Sequence, residues 1–190
     1  MTTPPQRRLL QSCLVSVNGV FSEPLTWAGP YFGAGSAVTS LAALHDGGAL
    51  LMGRRTYELF SRQWPAASGE YAAYLNEMPK YVFSSTLHGA SWSNTTVISG
   101  DVAATVTQLK QAAGKDLIVY GHGRFGQTLC DAGLVDQLTL TIAPVFVASG
   151  SPLFQPGGAA RAWQLVSAGP GADPGLASLT YQPQRELDAE

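Results

Sequence analysis

Charged residues are scarce in this sequence, and it contains no run of basic residues. Asp, Glu, Lys and Arg together make up 13% of its 190 residues, about half the usual share, and the formal net charge is −2. Without a basic stripe, we do not expect a nucleic-acid partner. The sequence also lacks any stretch of about 18 apolar residues, so no segment is predicted to span a membrane.

Cysteine is nearly absent as well. Cys13 and Cys130 are the only two, and each stands alone in an apolar segment. This pattern favours two buried thiols in a reducing cytoplasm over a disulfide. No spacing of His, Cys and Asp is typical of a metal site, and no G-x-S-x-G motif indicates a serine hydrolase. Hydrophobic residues make up 45% of the chain, enough to form the core of one domain over residues 1–190.

The sequence alternates short apolar strands with helices, which predicts an α/β fold with a mostly parallel sheet between helices. The clearest helix follows Asp101, a natural N-cap. The last two strands have no helix between them, so their pairing is predicted to be antiparallel. The predicted strands are 8–17, 49–52, 80–84, 117–120, 137–143, 163–168 and 176–182, and the predicted helices are 36–44, 56–63, 71–78, 102–113 and a segment that ends near Gly133.

Three segments rich in glycine or hydroxyl residues follow predicted strands, at the sheet edge where α/β folds bind ligands. The first segment is Gly53-Arg54-Arg55-Thr56-Tyr57. Its glycine lets a phosphate approach the backbone, its arginines can hold phosphate with two hydrogen bonds, and Thr56 can cap the helix or bond a phosphate oxygen. The alternative is an ordinary helix start with two solvated arginines.

The second segment, Ser84-Ser85-Thr86, suits a ribose phosphate, although an ordinary turn explains these residues more simply. The third, Gly121-His122-Gly123-Arg124-Phe125-Gly126, matches the dinucleotide motif G-x-G-x-x-G. A Rossmann domain also requires an acidic residue about 20 positions later, at the end of the next strand, and the strand at 137–143 has none there. An NAD-type Rossmann domain is therefore disfavoured, and a pyrophosphate-binding turn in a smaller sheet remains open.

In combination, these segments resemble the dihydrofolate reductase-like superfamily. The resemblance is carried by the apolar strand with Gly-Arg-x-Thr-Tyr-Glu (Leu50 to Glu58), then Ser84 to Thr86, then the Tyr-Gly-x-Gly turn. Within the superfamily, the chain is most similar to the branch that contains the C-terminal reductase domain of bacterial riboflavin biosynthesis (RibD). Gly121 to Phe154 is the strongest part, and the similarity extends from Leu9 to Tyr181.

The resemblance implies a three-layer sandwich around a mostly parallel eight-stranded sheet with an antiparallel C-terminal strand, and NADPH bound across the carboxyl edge of that sheet. It assigns the phosphates to the first segment, the 2′-phosphate side to the second, and the pyrophosphate and nicotinamide to the third. An arginine of the first segment gives a reason to prefer NADPH over NADH. A homodimer is implied in the same way. The implied cofactor-binding residues are Val17, Gly53, Arg54, Arg55, Thr56, Ser84, Ser85, Thr86, Tyr120, Gly121, His122, Gly123, Arg124 and Phe125.

A flat, aromatic substrate pocket is predicted from Asn18, Trp27, Tyr31 and Phe32, with Tyr120 beside them. The alternative for the three rings at 27–32 is that they simply cover the core. Family members often carry Asp where Asn18 stands, and residues 27–35 contain no carboxylate. Dihydrofolate is therefore not favoured as a substrate. The phosphoribosyl-aminopyrimidine of the riboflavin pathway is not favoured either, because the sequence has few spare cations for its ribose phosphate.

Three functions are consistent with this sequence. The favoured one is an NADPH-dependent reductase of a small heteroaromatic compound (pterin-, pyrimidine- or flavin-like), in which the protein mainly positions cofactor and substrate. The alternatives are a nucleotide-binding or sensing protein without turnover and a scaffold that has lost the cofactor. No catalytic residue is assigned, because Glu58 is interpreted as a helix-surface residue, and His45 and His88 as loop or helix-end residues.

Overall fold

The structure is a computed structural model that describes residues 6–154 and 161–184. Strands and helices alternate through most of these ranges, as the hydrophobic pattern predicts. In chain order the elements are β1 (Leu9–Ser16), α1 (Pro24–Trp27), a 3-10 turn (Gly29–Tyr31), α2 (Ala34–Asp46), β2 (Gly47–Gly53), α3 (Arg54–Gln63), α4 (Glu70–Glu77), β3 (Lys80–Phe83), β4 (Thr95–Ile98), α5 (Val102–Gln111), β5 (Asp116–Tyr120), α6 (Gly123–Asp131), β6 (Gln137–Ala143), β7 (Trp163–Pro170) and β8 (Ala177–Pro183).

All eight strands form one sheet, in the order β4-β3-β2-β5-β1-β6-β8-β7. Every pairing among β1 to β6 is parallel, and β8 is antiparallel to both β6 and β7. The predicted eight-stranded sheet with an antiparallel C-terminal strand is therefore confirmed. The strand-by-strand prediction missed β4, because its four residues, half of them threonine, lie at a half-exposed sheet edge and lack a strong apolar pattern.

The helices cover the sheet on both faces, so the predicted three-layer sandwich is also confirmed. Successive side chains of a strand point to opposite faces, and β2 therefore contributes to both cores. One core contains Leu51, Val119, Val106 of α5 and Leu129 of α6. The other contains Leu50, Met52, Leu44 of α2, Tyr57 of α3 and Leu75 of α4.

Two residues, Asp101 and Thr56, were predicted to cap the starts of helices. The Asp101 carboxylate accepts a hydrogen bond from the backbone N–H of Ala104 at 3.1 Å, which confirms it as the N-cap of α5. The suggestion that Thr56 caps its helix is wrong, because α3 already begins at Arg54, with Gly53 at the N-cap. Thr56 thus lies in the first turn of α3.

Two glycines join α2 directly to β2, because Gly47 is the C-cap of α2 and, with Gly48, begins β2. A Cβ on Gly47 would lie 2.1 Å from Ile118 Cδ1, so β2 approaches β5 more closely than a larger residue would allow. The close approach of β2 to β5 therefore requires glycine at position 47.

Both cysteines are buried free thiols, as predicted. Burial raises the pKa of Cys13 to about 12 and that of Cys130 to about 11, so neither is a thiolate at neutral pH. In residues 6–154 and 161–184, no helix has the length and apolar character needed to cross a membrane.

Candidate functional site

The three predicted segments lie side by side. They follow β3, β2 and β5, which are neighbours in the sheet and run in the same direction. The carboxyl ends of parallel strands meet at one edge, so the tertiary structure brings the segments at Gly53, Ser84 and Gly121 to a single rim. β1 and β6 continue the same rim on the other side of β5.

A side-chain hydrogen bond joins the first segment to the second. Arg54 Nη1 donates to Thr86 Oγ1 at 2.7 Å, and Arg54 Nε donates to Glu58 Oε1 at 2.6 Å. The Arg54 side chain is 48% exposed. Glu58 is the surface ion-pair partner of Arg54, in agreement with its interpretation as a helix-surface residue. Arg55 is exposed, and its side chain makes no hydrogen bond to any residue that the structure describes.

Within the second segment, the hydroxyl groups have different environments. Ser84 Oγ accepts hydrogen bonds from the backbone N–H groups of Thr86 at 3.2 Å and of Leu87 at 3.1 Å. Ser84 therefore forms the turn itself, as the simpler interpretation of this segment held. Ser85 is exposed, and Thr86 provides the hydroxyl that contacts Arg54.

Two contacts of Phe125 join the third segment to the ends of β3 and β2. The rings of Phe125 and Phe83 stack, with their centroids 4.7 Å apart and an interplanar angle of 21°. A Cβ on Gly53 would lie 3.1 Å from the Cβ of Phe125, tighter than ordinary van der Waals contact. Glycine at position 53 therefore lets the first and third segments touch.

Each glycine of the third segment is favoured either by its backbone conformation or by close packing. Gly121 and Gly123 have φ angles of +79° and +57°, which favour glycine. A Cβ on Gly126 would lie 2.5 Å from Gln11 Nε2, so the third glycine allows α6 to pack closely on β1. The backbone N–H groups of Gly123, Arg124 and Phe125 have no acceptor in the part of the chain that the structure describes, which is typical of a helix start that can receive an anion.

His122, predicted to contact the cofactor, has a buried ring. Its residue is 8% exposed, and the ring lies edge-on to Phe21 and Phe154, at centroid distances of 6.1 and 5.0 Å. Gln11, only 1% exposed, makes hydrogen bonds to this part of the turn and was missed by the sequence analysis. The available signal was a glutamine at an inward position of an otherwise apolar strand, between Leu9 and Cys13.

The predicted aromatic residues lie around α1 and the 3-10 turn. Trp27 Nε1 donates to the carbonyl of Ser22 at 2.9 Å, Tyr31 is half-buried, and Phe32 is 47% exposed. None of these three rings belongs to the buried core that the structure describes. This placement does not favour the alternative that they simply cover the core.

Asn18 and Val17 lie where β1 ends. The Asn18 side chain pairs with the backbone of Val147, accepting from its N–H at 3.1 Å and donating to its carbonyl at 2.9 Å, and it also accepts from Ser16 Oγ at 2.8 Å. An aspartate could not donate to the Val147 carbonyl, which is a physical reason for asparagine here. Val17 is 49% exposed at the rim.

Tyr120 is the last residue of β5, and its ring packs near Phe60, with centroids 6.4 Å apart. Its hydroxyl is buried, and the polar group that interacts with it is the Tyr71 side chain. Burial raises the pKa of Tyr120, so this side chain is neutral over the physiological range.

A carboxylate that the local sequence lacks is supplied by the loop between β7 and β8. Asp173 accepts hydrogen bonds from the backbone N–H groups of Gly33, Gly35 and Ser36, at 2.8, 3.0 and 2.8 Å. These N–H groups form the start of α2, so Asp173 caps this helix from a distant segment. A Cβ on Gly35 would lie 2.0 Å from the carbonyl oxygen of Ala172, so glycine permits this approach.

Replacing Asp173 with asparagine is expected to destabilise the protein and to alter its acid sensitivity. The Ser36 hydroxyl and the three backbone N–H groups lower the pKa of Asp173 to about 2, below the ordinary value of 3.8. The stabilisation by a carboxylate of lowered pKa is complete above the unfolded-state pKa and is lost as the pH falls towards the folded-state value. Urea unfolding from pH 6 to pH 2 should show a stability difference between wild type and Asp173→Asn that shrinks below pH 4. A difference that is constant with pH would contradict the cap.

No group of three or more His, Cys, Asp or Glu residues suitable for a metal occurs in the described ranges. The comparisons with known proteins agree with the fold. The structure of a proposed riboflavin biosynthesis protein from Shewanella sp. PV-4 superposes with a TM-score of 0.76 at 19% identity, over 94% of this chain and 99% of the other. A deaminase/5-amino-6-(5-phosphoribosylamino)uracil reductase from Thermotoga maritima gives a TM-score of 0.67 at 8% identity, over 94% of this chain and 57% of the other.

A curated relative is similar in sequence as well. It is the uncharacterized protein YyaP of Bacillus subtilis (strain 168), which is 31% identical over 110 residues, covering 55% of this chain and 58% of YyaP. The match thus spans little more than half the length of that relative. The family model of the RibD C-terminal domain matches residues 33–171, well over half of the chain. The chain therefore belongs to the RibD C-terminal domain family.

Proposed function

We propose that this chain is an NADPH-dependent reductase of a small heteroaromatic compound. The observation that carries the proposal is the meeting of the three strand-end segments, in which the half-exposed guanidinium of Arg54 reaches across to Thr86. A cation beside a hydroxyl at the carboxyl edge of a parallel sheet is an arrangement suited to a ribose phosphate. The family membership and the names of the structural neighbours support a reductase.

The donor groups at the rim fit NADPH. Two nitrogens of the Arg54 guanidinium, Nε and Nη1, donate to Glu58 and Thr86, and its remaining N–H groups can bind the 2′-phosphate. The free N–H groups that begin α6, at Gly123 to Phe125, suit the pyrophosphate, and Gly53 offers backbone without a side chain. When bound, NADPH supplies a hydride, and the protein residues bind and orient it.

The three predicted rings favour a flat substrate. Trp27, Tyr31 and Phe32 lie outside the buried core, and a heteroaromatic ring can stack on such side chains. The Thermotoga maritima neighbour is named as a reductase of an aminouracil, which is a compound of this class. We therefore propose a pterin-, pyrimidine- or flavin-like ring as the substrate.

A nucleotide-binding protein without turnover is the second candidate. The observation in its favour is that two carboxylates on elements of the candidate site are engaged, Glu58 by Arg54 and Asp173 by the start of α2. Neither is free to donate a proton to a substrate, so water would have to do so. Substrate-dependent oxidation of NADPH separates the reductase from this alternative.

Calorimetric titration of the purified chain with NADPH, and then with NADH, tests the cofactor. We expect micromolar binding of NADPH and weaker binding of NADH, because only NADPH carries the additional phosphate for Arg54. A screen of heteroaromatic compounds for NADPH oxidation then tests the substrate class. Absence of binding to either cofactor would reject the proposed function and favour a scaffold that has lost the cofactor.

We also propose that the chain forms a homodimer through β7. Leu165 and Val166 on this edge strand are 49% and 53% exposed, which is unusual for two adjacent apolar residues. Light scattering should give twice the 20.0 kDa mass of one chain. Val166→Lys should give a monomer, whereas Val38→Lys on the exposed face of α2 should leave the mass unchanged. A monomeric wild type would reject the dimer.

A further inference from the structure

A continuous chain of hydrogen bonds runs beneath the glycine turn of the third segment. Gln11 Nε2 donates to the Gly121 carbonyl at 3.0 Å and contacts His122 Nδ1 at 2.8 Å. On the other side of the ring, His122 Nε2 lies 3.3 Å from Gln127 Oε1, and Gln127 Nε2 donates to Asp131 Oδ1 at 2.9 Å. This hydrogen-bond chain thus begins at a backbone carbonyl and ends at a carboxylate.

The direction of every bond in this chain is fixed by its two ends, because a carbonyl and a carboxylate can only accept. The Gly121 carbonyl requires the amide nitrogen of Gln11 to face the turn, so the second N–H of that nitrogen is directed at His122 Nδ1, which must accept. Asp131 requires the amide nitrogen of Gln127 to face it, so the Gln127 oxygen faces His122 Nε2, which must donate. Both ends independently assign the neutral Nε2–H tautomer to His122.

A doubly protonated His122 does not fit this arrangement. Its Nδ1–H would meet the N–H of Gln11, and two donors would face each other at 2.8 Å. Burial also lowers the pKa of His122, with Gln127 and Asp131 acting in the opposite direction. Two other titratable or charged groups contact members of this hydrogen-bond chain: the Cys130 thiol, whose Sγ lies 3.7 Å from Gln11 Oε1, and the Arg161 guanidinium, which donates to the Asp131 carbonyl. Phe21 and Phe154 cover the remaining sides of the ring.

These hydrogen bonds control the conformation of the turn. Gly121 has a φ of +79°, and its carbonyl is held by a side chain that is 1% exposed. The oxygen is therefore held on the interior side of the turn, away from the rim at which an anion would approach. Gly126 makes the contact possible, since a Cβ there would lie 2.5 Å from Gln11 Nε2 and 2.9 Å from His122 Nδ1.

We propose that Gln11 and His122 are positioning residues of the cofactor site, with Gln11 fixing the Nε2–H tautomer of His122 and holding the Gly121 carbonyl inward so that the turn presents N–H groups to the pyrophosphate. The inference rests on the proposed function, and it names two interior residues that do not themselves contact the cofactor. Protonation of His122 disrupts this series of hydrogen bonds, so NADPH binding and protonation of His122 oppose each other. By linkage, each changes the equilibrium of the other by the same factor.

The tautomer is tested first, without ligand, by long-range ¹H–¹⁵N NMR of the histidine rings in the whole chain. The wild type should show a protonated Nε2 and an unprotonated Nδ1 for His122, with His45 and His88 as internal references. Gln11→Glu has the same shape but can only accept at neutral pH, and Gln127 still accepts from Nε2, so His122 of this variant should carry a proton on both ring nitrogens. Gln108→Glu, at an exposed position of α5, is the matched control and should leave the His122 signals unchanged. An Nδ1–H tautomer in the wild type would overturn the assignment.

The positioning role is tested by titrating NADPH as a function of pH. Gln11→Glu should bind NADPH about tenfold more weakly, the effect of losing one ordinary hydrogen bond. In the wild type, bound NADPH should shift the His122 titration to lower pH, and in the variant it should not. If Gln11→Glu does not fold, Gln11→Met provides the same comparison without a charge. Unchanged NADPH affinity in a folded variant would leave only a structural role and overturn the proposal. Absence of NADPH binding by the wild type would reject the proposed function, and with it the positioning role, while leaving the ligand-free tautomer result in place.

Discussion

Arg54→Ala is expected to weaken NADPH binding by tenfold to a hundredfold. A hydrogen bond to a charged group contributes about 1.5–3 kcal/mol, which corresponds to this range of affinity. The structure directs the prediction to Arg54 rather than Arg55, because Arg54 bridges to Thr86 on the neighbouring segment, whereas the Arg55 side chain makes no hydrogen bond to the described residues. Calorimetric titration of NADPH and NADH with each variant measures the difference.

The cofactor dependence identifies which phosphate Arg54 binds. If the lost contact is the 2′-phosphate, NADH affinity should change less than NADPH affinity. Arg62→Ala, an exposed arginine in the last turn of the same helix, is the matched control and should bind both cofactors like the wild type. Equal losses for both cofactors would assign Arg54 to the shared phosphates, and no loss for either would remove it from the site.

Lys80→Met is expected to lower the free energy of unfolding by about 3 kcal/mol, a large effect for a single substitution. Lys80 is 0% exposed, and its ammonium donates to the carbonyls of Leu75, Asn76 and Met78 at 2.8, 2.9 and 2.7 Å. These carbonyls end α4, where the helix dipole also favours a cation. Burial lowers the pKa of Lys80 to about 8, so the ammonium still carries its proton at pH 7.

Methionine keeps the length of the lysine stem but donates nothing. It leaves the Leu75 and Met78 carbonyls without a donor among the described residues, whereas the Asn76 carbonyl still accepts from Ser93 Oγ at 3.2 Å and Asn94 Nδ2 at 3.4 Å. Removing the cost of burying the charge offsets part of this loss, which is why the expected effect is smaller than three full hydrogen bonds. Lys115→Met is the control, because Lys115 donates a single exposed hydrogen bond, to the His45 carbonyl at 2.7 Å. Denaturant unfolding of both variants provides the measurement. Equal stability of Lys80→Met and wild type would contradict the structural role of Lys80.

Elements with strong local signals were predicted correctly. The strand at Asp116–Tyr120 is apolar in four consecutive residues, and α5 begins at a good N-cap, so both could be recognised without tertiary information. β4 was missed because a short edge strand has little pattern of its own. The strand ends also fixed where the three segments would lie, since parallel strands share one carboxyl edge.

The contacts that complete the candidate site were not predictable in this way. Asp173 reaches Gly33 across 140 positions, Gln11 reaches His122 across 111, and Arg54 reaches Thr86 across 32. Nothing in residues 27–35 indicates that a carboxylate from the β7–β8 loop will cap α2. Likewise, an isolated glutamine in an apolar strand does not reveal its partner.

The sequence by itself therefore determined the class of fold, the family resemblance and the three strand-end segments, because these depend on hydrophobic periodicity, on glycine conformation and on residues that are neighbours in the chain. Only the tertiary structure decided which arginine meets a hydroxyl, which way the Gly121 carbonyl points and which proton His122 carries. Those features depend on the directions of hydrogen bonds between distant residues, and such directions are set only when the sheet and its helices have packed.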